Sequence, residues 1–111
     1  MRLAIIGGGH ACYELLTMIL ADDRHQLGLT VIGVADPDPH SPGLELARSR
    51  GIGLIVSDYH VFFARDDIDL VVELTGRPEV REDVFRSLPR DVHFIDHYAG
   101  WIFAEFRNYL F

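Results

Sequence analysis

The sequence predicts an α/β domain built on a doubly wound sheet of five parallel strands in the order 3-2-1-4-5. Short apolar segments alternate with amphipathic segments along the 111-residue chain. The second, fourth and fifth apolar segments are nearly continuous, which is typical of parallel strands covered on both faces. Right-handed crossovers between such strands give the stated order. We therefore expect residues 1–111 to form a single domain.

The first half of the chain carries two strands and two helices. Strand one is predicted at Leu3–Ile6 and strand two at Leu29–Ala35, with an amphipathic helix at Ala11–Leu20 between them. Prolines exclude a helix directly after strand two. Ser41 is then a suitable N-cap for a helix that stops at Gly51, because glycine commonly follows the last helical turn.

The second half continues the alternation. Strand three is predicted at Leu54–Val56, strand four at Leu70–Leu74 and strand five at Val92–Ile95. Asp58 can cap a short helix over residues 61–63. A longer helix follows strand four and should turn four apolar side chains inward: Val80, Val84, Phe85 and Leu88.

The last segment of the chain is unusually aromatic. It predicts a helix from about Tyr98 to Phe111 whose apolar surface exceeds the part that one sheet would cover. One explanation is a thick final helix over the sheet. The other is that the outer face of this helix contacts a second subunit or a following domain. We expect a homodimer through this helix.

Composition narrows the classes of function. The net charge of −7 argues against binding to nucleic acid or to an anionic membrane surface. All ten basic residues are arginines, so the chain offers no P-loop or Schiff-base lysine. No apolar run approaches a membrane span, no signal peptide is apparent, and one cysteine forms no internal disulfide. These features predict a cytoplasmic protein.

A glycine-rich turn is the most informative motif. Gly7, Gly8 and Gly9 separate strand one from the first helix, and Asp36 ends strand two. In a dinucleotide-binding βαβ unit such glycines admit a pyrophosphate to the helix N-terminus, and the carboxylate binds the adenosine ribose. Cys12 stands at the third position of the motif, where Gly or Ala is usual. A tight turn without a ligand is therefore the alternative.

Other loops should lie at the same edge of the sheet, where a crevice is expected between strands one and four. Asp36 favours NAD over NADP, because a 2′-phosphate would meet a carboxylate. The predicted ligand-binding residues are Gly7, Gly9, His10 and Ala11 for the pyrophosphate, Asp36 for the ribose, and Thr75, Gly76 and Arg77 for the second half of the ligand.

Four segments of the chain carry a family resemblance. Residues 4–9, 34–38, 43–48 and 70–78 resemble NAD(P)-binding Rossmann domains of the glucose–fructose oxidoreductase and homoserine dehydrogenase type. The glucose–fructose type often carries Glu-Lys-Pro after strand five, whereas this chain has Phe94–Tyr98 there without a lysine. In size the chain is similar to Rossmann modules at the N-terminus of some bacterial sensor histidine kinases.

These observations favour a binding module over an enzyme for this chain alone. The resemblance implies an NAD-binding sensory or regulatory module of a signal-transduction protein such as a histidine kinase. One alternative is the cofactor half of an NAD-dependent dehydrogenase that lacks its substrate domain. The other is a Rossmann-shaped interaction domain that binds no nucleotide.

Other reactive side chains have simpler interpretations. We expect Cys12 to pack at the helix–sheet contact and not to act as a redox sensor. His93 and His97 should not converge, so no metal site is predicted. Asp96 is expected to cap the last helix, although with His97 it could form an acid–base pair. Glu73 lies in a buried strand pattern and needs an arginine partner or a place at the cleft.

Overall fold

The predicted parallel sheet is present in the computed structural model, which describes residues 1–22 and 24–96. Its strand order is β3-β2-β1-β4-β5, as predicted, and all pairs are parallel. The domain therefore has a Rossmann-like α/β fold. The five strands are β1 Arg2–Ile6, β2 Thr30–Ala35, β3 Leu54–Val56, β4 Leu70–Glu73 and β5 His93–Ile95.

Three α-helices and one 3₁₀ helix connect the strands. They are α1 His10–Leu20, α2 Pro42–Ser49, the 3₁₀ helix Tyr59–Ala64 and α3 Pro78–Ser87. Ser41 is the N-cap of α2, as predicted, and Gly51 follows its end with a φ of +76°. Asp58 caps the 3₁₀ helix, because its carboxylate accepts a hydrogen bond from the N–H of His60 at 2.9 Å.

Alternate residues of the central strand face two separate apolar layers. Leu3 and Ile5 pack in the layer that α1 and α2 cover, whereas Ala4 and Ile6 pack against the 3₁₀ helix and α3. None of these four side chains is more than 1% exposed. Burying one large aliphatic side chain stabilises a fold by about 1.5–3 kcal/mol. The uninterrupted apolar strands thus follow from helices on both faces of the sheet.

Phe85 is not in the core, and the prediction that it faces inward was wrong. Val80 and Val84 are buried under α3, but Phe85 is 73% exposed. Successive helical residues are rotated by about 100°, so the stripe through residues 80, 84 and 88 turns Phe85 away from the sheet. Its ring lies beside Phe94 of β5, with 6.4 Å between the ring centroids.

Several predictions concern residues that lie outside the described ranges. They are the last helix from about Tyr98, the homodimer contact assigned to it, and the role of His97. Within residues 1–22 and 24–96, no helix combines the length and the apolar character needed to cross a membrane.

Candidate functional site

The glycine-rich loop is fixed by hydrogen bonds on the side that faces β2 and α2. The N–H of Gly7 donates to the carbonyl of Ala35 at 2.8 Å, and the carbonyl of Gly8 accepts from the N–H of Gly43 at 2.6 Å. The first bond of α1 runs from Tyr13 N–H to the Gly9 carbonyl at 3.0 Å. The N–H groups of residues 10–12 precede that bond, so they are the unsatisfied donors of a helix N-terminus.

The space in front of this helix end is open. A methyl group built at Gly9 would have no atom within 4 Å among the described residues, apart from its chain neighbours and its own helix. His10 does not fill this space, because its Nε2 lies 3.1 Å from Oε1 of Glu14, one turn further along α1. An anion could therefore approach the α1 N–H groups without displacing a side chain.

Asp36 joins two loops at the carboxyl end of β2. Its Oδ2 accepts from Gly8 N–H at 2.7 Å, and its Oδ1 accepts from Asp38 N–H at 2.8 Å. An ionised carboxylate can accept about four hydrogen bonds, so both oxygens retain capacity for a ligand hydroxyl. The carboxylate thus orders the glycine-rich loop in addition to being the predicted ribose acceptor.

A cavity of about 190 Å³ opens between the carboxyl ends of the strands. Of the predicted ligand-binding residues, Gly7, Thr75 and Arg77 line this cavity, whereas Gly9, His10, Ala11, Asp36 and Gly76 do not. Sites that enclose a whole drug-sized ligand measure roughly 300–1,000 Å³. This cavity can therefore hold one part of a dinucleotide, such as a base, and not the entire molecule.

Most of the residues that line the cavity were not predicted from the sequence. The additional lining residues are Ile6, Ala35, Pro37, Ser57, Asp58, Tyr59 and Val80. Residues 57–59 directly follow β3, whose carboxyl end shares an edge with those of β1 and β4. That shared edge was a usable signal, because loops after parallel strands converge on one side of the sheet.

A polar cluster, which we call the His60 cluster, joins the 3₁₀ helix to α3. It consists of Asp58, Tyr59, His60 and Asp83. The His60 ring has Nδ1 2.6 Å from Asp58 Oδ1 and Nε2 2.8 Å from Asp83 Oδ2, and the Tyr59 hydroxyl also donates to Asp83. Partial burial and this hydrogen bond raise the pKa of Tyr59 to about 12.

Glu73 orders the loop that follows β4. It is 1% exposed, and its Oε1 accepts from both the N–H and the hydroxyl of Thr75. The Thr75 hydroxyl oxygen in turn accepts from Arg77 N–H at 3.1 Å. The two expectations for Glu73 were an arginine partner or a place lining the cleft; its partner is instead Thr75, and it does not line the cavity described above. Its other oxygen is buried without a hydrogen-bond partner among the described residues.

Cys12 is a packing residue, as predicted. It is fully buried, and burial, together with the charge of Asp36, raises the pKa of its thiol to about 12. A thiol sensor needs a lowered pKa and access to solvent, so the redox alternative is wrong. The sulfur lies against Gly43 of α2, where a methyl group would come within 2.6 Å of it.

Asp96 forms an ion pair with α3. Its Oδ2 lies 3.4 Å from Nη1 of Arg81. The predicted capping role of Asp96 and its pairing with His97 both involve residues outside the described ranges. His93 is exposed at the start of β5.

The chain is similar in sequence to part of a known protein. Over 97 residues the chain is 34% identical to acetaldehyde dehydrogenase 2 of Salinispora arenicola (strain CNS-205). The match covers 86% of this chain and 32% of that protein, so the chain spans about a third of the length of the relative. No protein-family model matches the chain.

Proposed function

We propose that this chain is an NAD-binding domain. The observation that carries the proposal is the uncovered start of α1: among the described residues no atom lies within 4 Å of a methyl group built at Gly9, and the preceding Gly8 is bonded to the Asp36 carboxylate. A pyrophosphate requires an uncovered helix N-terminus after a glycine turn, and a ribose requires a carboxylate at the end of the second strand. The similarity to an acetaldehyde dehydrogenase supports the same conclusion.

Each part of the dinucleotide has a matching group of residues. The N–H groups at the start of α1 would bind the pyrophosphate, and Asp36 would accept hydrogen bonds from the adenosine ribose. The apolar walls at Ile6, Pro37 and Val80 suit a base. We propose that Thr75, Gly76 and Arg77 flank the ligand, as predicted. When bound, NAD supplies hydride transfer at its nicotinamide ring.

A second part of the proposal concerns the role of NAD binding in the protein. The dehydrogenase similarity favours the cofactor-binding part of a dehydrogenase, with substrate binding supplied by residues beyond those matched here. The expectation of a sensory module in a histidine kinase rests on resemblance in size and receives no support from this comparison. A bound NAD and the site residues named above are common to both roles.

Gly9→Ala tests the proposal by separating binding from stability. Among the described residues the new methyl group meets no atom within 4 Å, so only the weaker N-cap preference of alanine acts, and the free energy of unfolding should fall by about 1 kcal/mol or less. It would occupy the space that a pyrophosphate needs, so the affinity for NAD⁺ in isothermal titration should fall about tenfold or more.

Gly53→Ala is the matched control for this test. Gly53 also has open space around it but lies in the turn before β3, so this variant should bind NAD⁺ like the wild type. If the wild type binds no NAD⁺, or if Gly9→Ala binds it unchanged, the proposal fails.

Asp36→Asn should change the preference between NAD⁺ and NADP⁺. The wild type is expected to bind NAD⁺ about tenfold or more tightly than NADP⁺, because the 2′-phosphate would lie near a carboxylate. Asparagine removes that charge and keeps one acceptor oxygen for the backbone, so the ratio should approach one. Asp38→Asn, in the same loop, should leave the ratio unchanged. Equal ratios in the wild type and Asp36→Asn would exclude Asp36 as the discriminating residue.

A further inference from the structure

We infer that His60 is a positioning residue that holds two walls of the cavity together when its ring is protonated, so that nucleotide affinity falls as the ring loses its proton. The effect on affinity rests on the proposed NAD binding. The effect on the shape of the cavity does not, and it can be measured without any ligand.

The His60 ring lies between two carboxylates. Both nitrogens of His60 lie within hydrogen-bond distance of a carboxylate oxygen, at 2.6 Å from Asp58 and 2.8 Å from Asp83. A neutral imidazole has one N–H donor and one lone pair. Deprotonation therefore turns one of the two contacts into a lone pair facing a carboxylate. Only the imidazolium form satisfies both contacts at once.

The contacts of His60 connect two elements that line the cavity. Asp58 and Tyr59 line it from the loop and helix that follow β3. Asp83 belongs to α3, one turn after Val80, which also lines the cavity. Because Asp83 accepts from both Tyr59 and His60, loss of the His60 contact would loosen the attachment of the 3₁₀ helix to α3.

The surroundings of His60 favour its charged form. The Tyr59 ring stacks on the His60 ring at 4.4 Å, and Phe63 meets it edge-on. The charged and titratable neighbours are Asp58, Tyr59 and Asp83, with Ser87 donating to Asp83 and the positive charge of Arg77 near Tyr59. One imidazolium thus faces two carboxylates.

The direction of the pH effect follows from these charges. The hydrogen bond to Asp58 has the largest effect on the pKa of His60; burial opposes it, and the hydrogen bond to Asp83 adds to it, so that the pKa lies above 6.5. Its stabilising contribution is complete below pH 6.5 and is lost as the pH rises through the raised value. Hydrogen bonds lower the pKa values of Asp58 and Asp83 below 3.8, so their contribution is lost only in acid. The cluster is therefore intact in the mildly acidic range and loosens as the pH rises through the raised pKa of His60.

An NMR titration from about pH 5.5 to about pH 8.5 tests this inference on the ligand-free chain. Signals of Tyr59, Val80 and Asp83 should titrate with the midpoint of the His60 ring, above pH 6.5. They should not do so in His60→Gln, which is neutral throughout. Asp83→Asn should lower the His60 midpoint. His93→Gln removes an exposed histidine outside the cluster and should behave like the wild type.

A parallel titration with NAD⁺ measures the consequence for binding. Affinity should fall roughly threefold over the same pH range in the wild type and in His93→Gln, and not in His60→Gln. Constant Tyr59 and Val80 signals while His60 titrates would overturn the inference, as would equal pH profiles of affinity in the wild type and His60→Gln. If the signals titrate as expected but NAD⁺ does not bind at any pH, the NAD proposal fails and the structural role of His60 stands.

Discussion

Gly7→Ala is expected to destabilise the domain by about 3 kcal/mol or more. Gly7 has a φ of +103°, a conformation that side chains with a Cβ rarely adopt. A methyl group there would lie 2.9 Å from the backbone nitrogen of Thr75 and 3.0 Å from the carbonyl carbon of Leu74. These are backbone atoms of the loop directly after β4, where the N–H of Leu74 donates to the carbonyl of Ile6 at 2.7 Å, so they cannot rotate away as a side chain can. The backbone strain and the steric overlap of the new methyl group therefore both lower the free energy of unfolding.

Gly51→Ala separates the two contributions. Gly51 also has a positive φ, +76°, but among the described residues no atom except those of its chain neighbours lies within 4 Å of a methyl group there. Its substitution should cost only the backbone term, about 1–2 kcal/mol. Denaturant unfolding of both variants gives the comparison. A Gly7→Ala loss no larger than that of Gly51→Ala would show that the loop after β4 can move aside.

Gly43→Ala is expected to cost about 2 kcal/mol, because the contact between α1 and α2 is too close for another methyl group. That group would lie 2.6 Å from the sulfur of Cys12 and 2.8 Å from the carbonyl oxygen of Gly8. The same oxygen accepts the N–H of Gly43, so the added bulk would also weaken this bond. The glycine-rich loop and α2 are thus coupled through one position.

A double-mutant cycle with Cys12→Ala measures the sulfur contact directly. In the Cys12→Ala background, Gly43→Ala should cost about 1 kcal/mol less than in the wild type, because the nearest atom has been removed. The Gly8 contact remains, so the rescue should be partial. Strictly additive free energies of unfolding would contradict the contact between Cys12 and Gly43.

This pair also explains how the glycine motif tolerates its unusual third position. The third residue of such a motif is small because helix and strand pack closely there. Here Cys12 is larger, and the missing space is supplied by Gly43, 31 positions later in the sequence. Neither residue alone suggests the other, since the link exists only once α2 packs on α1.

The candidate site was predictable where a local motif defines it. The glycine-rich turn and Asp36 follow from the order of strand, turn, helix and strand, and the structure places them next to each other. Tyr59 and His60 were not predicted, because a tyrosine and a histidine after a short strand carry no motif. Their role depends on Asp83, which is more than 20 positions away in another helix.

The sequence by itself determined the fold class, the strand order and the positions of the described helices. Apolar periodicity, glycines and prolines act locally, and right-handed crossovers leave few ways to arrange parallel strands. Only the tertiary structure decided that Phe85 faces solvent, that Asp36 holds the glycine-rich loop, and that His60 lies between two carboxylates. Those outcomes depend on distances of a few ångströms between side chains from separate elements, and such distances exist only after the elements have packed.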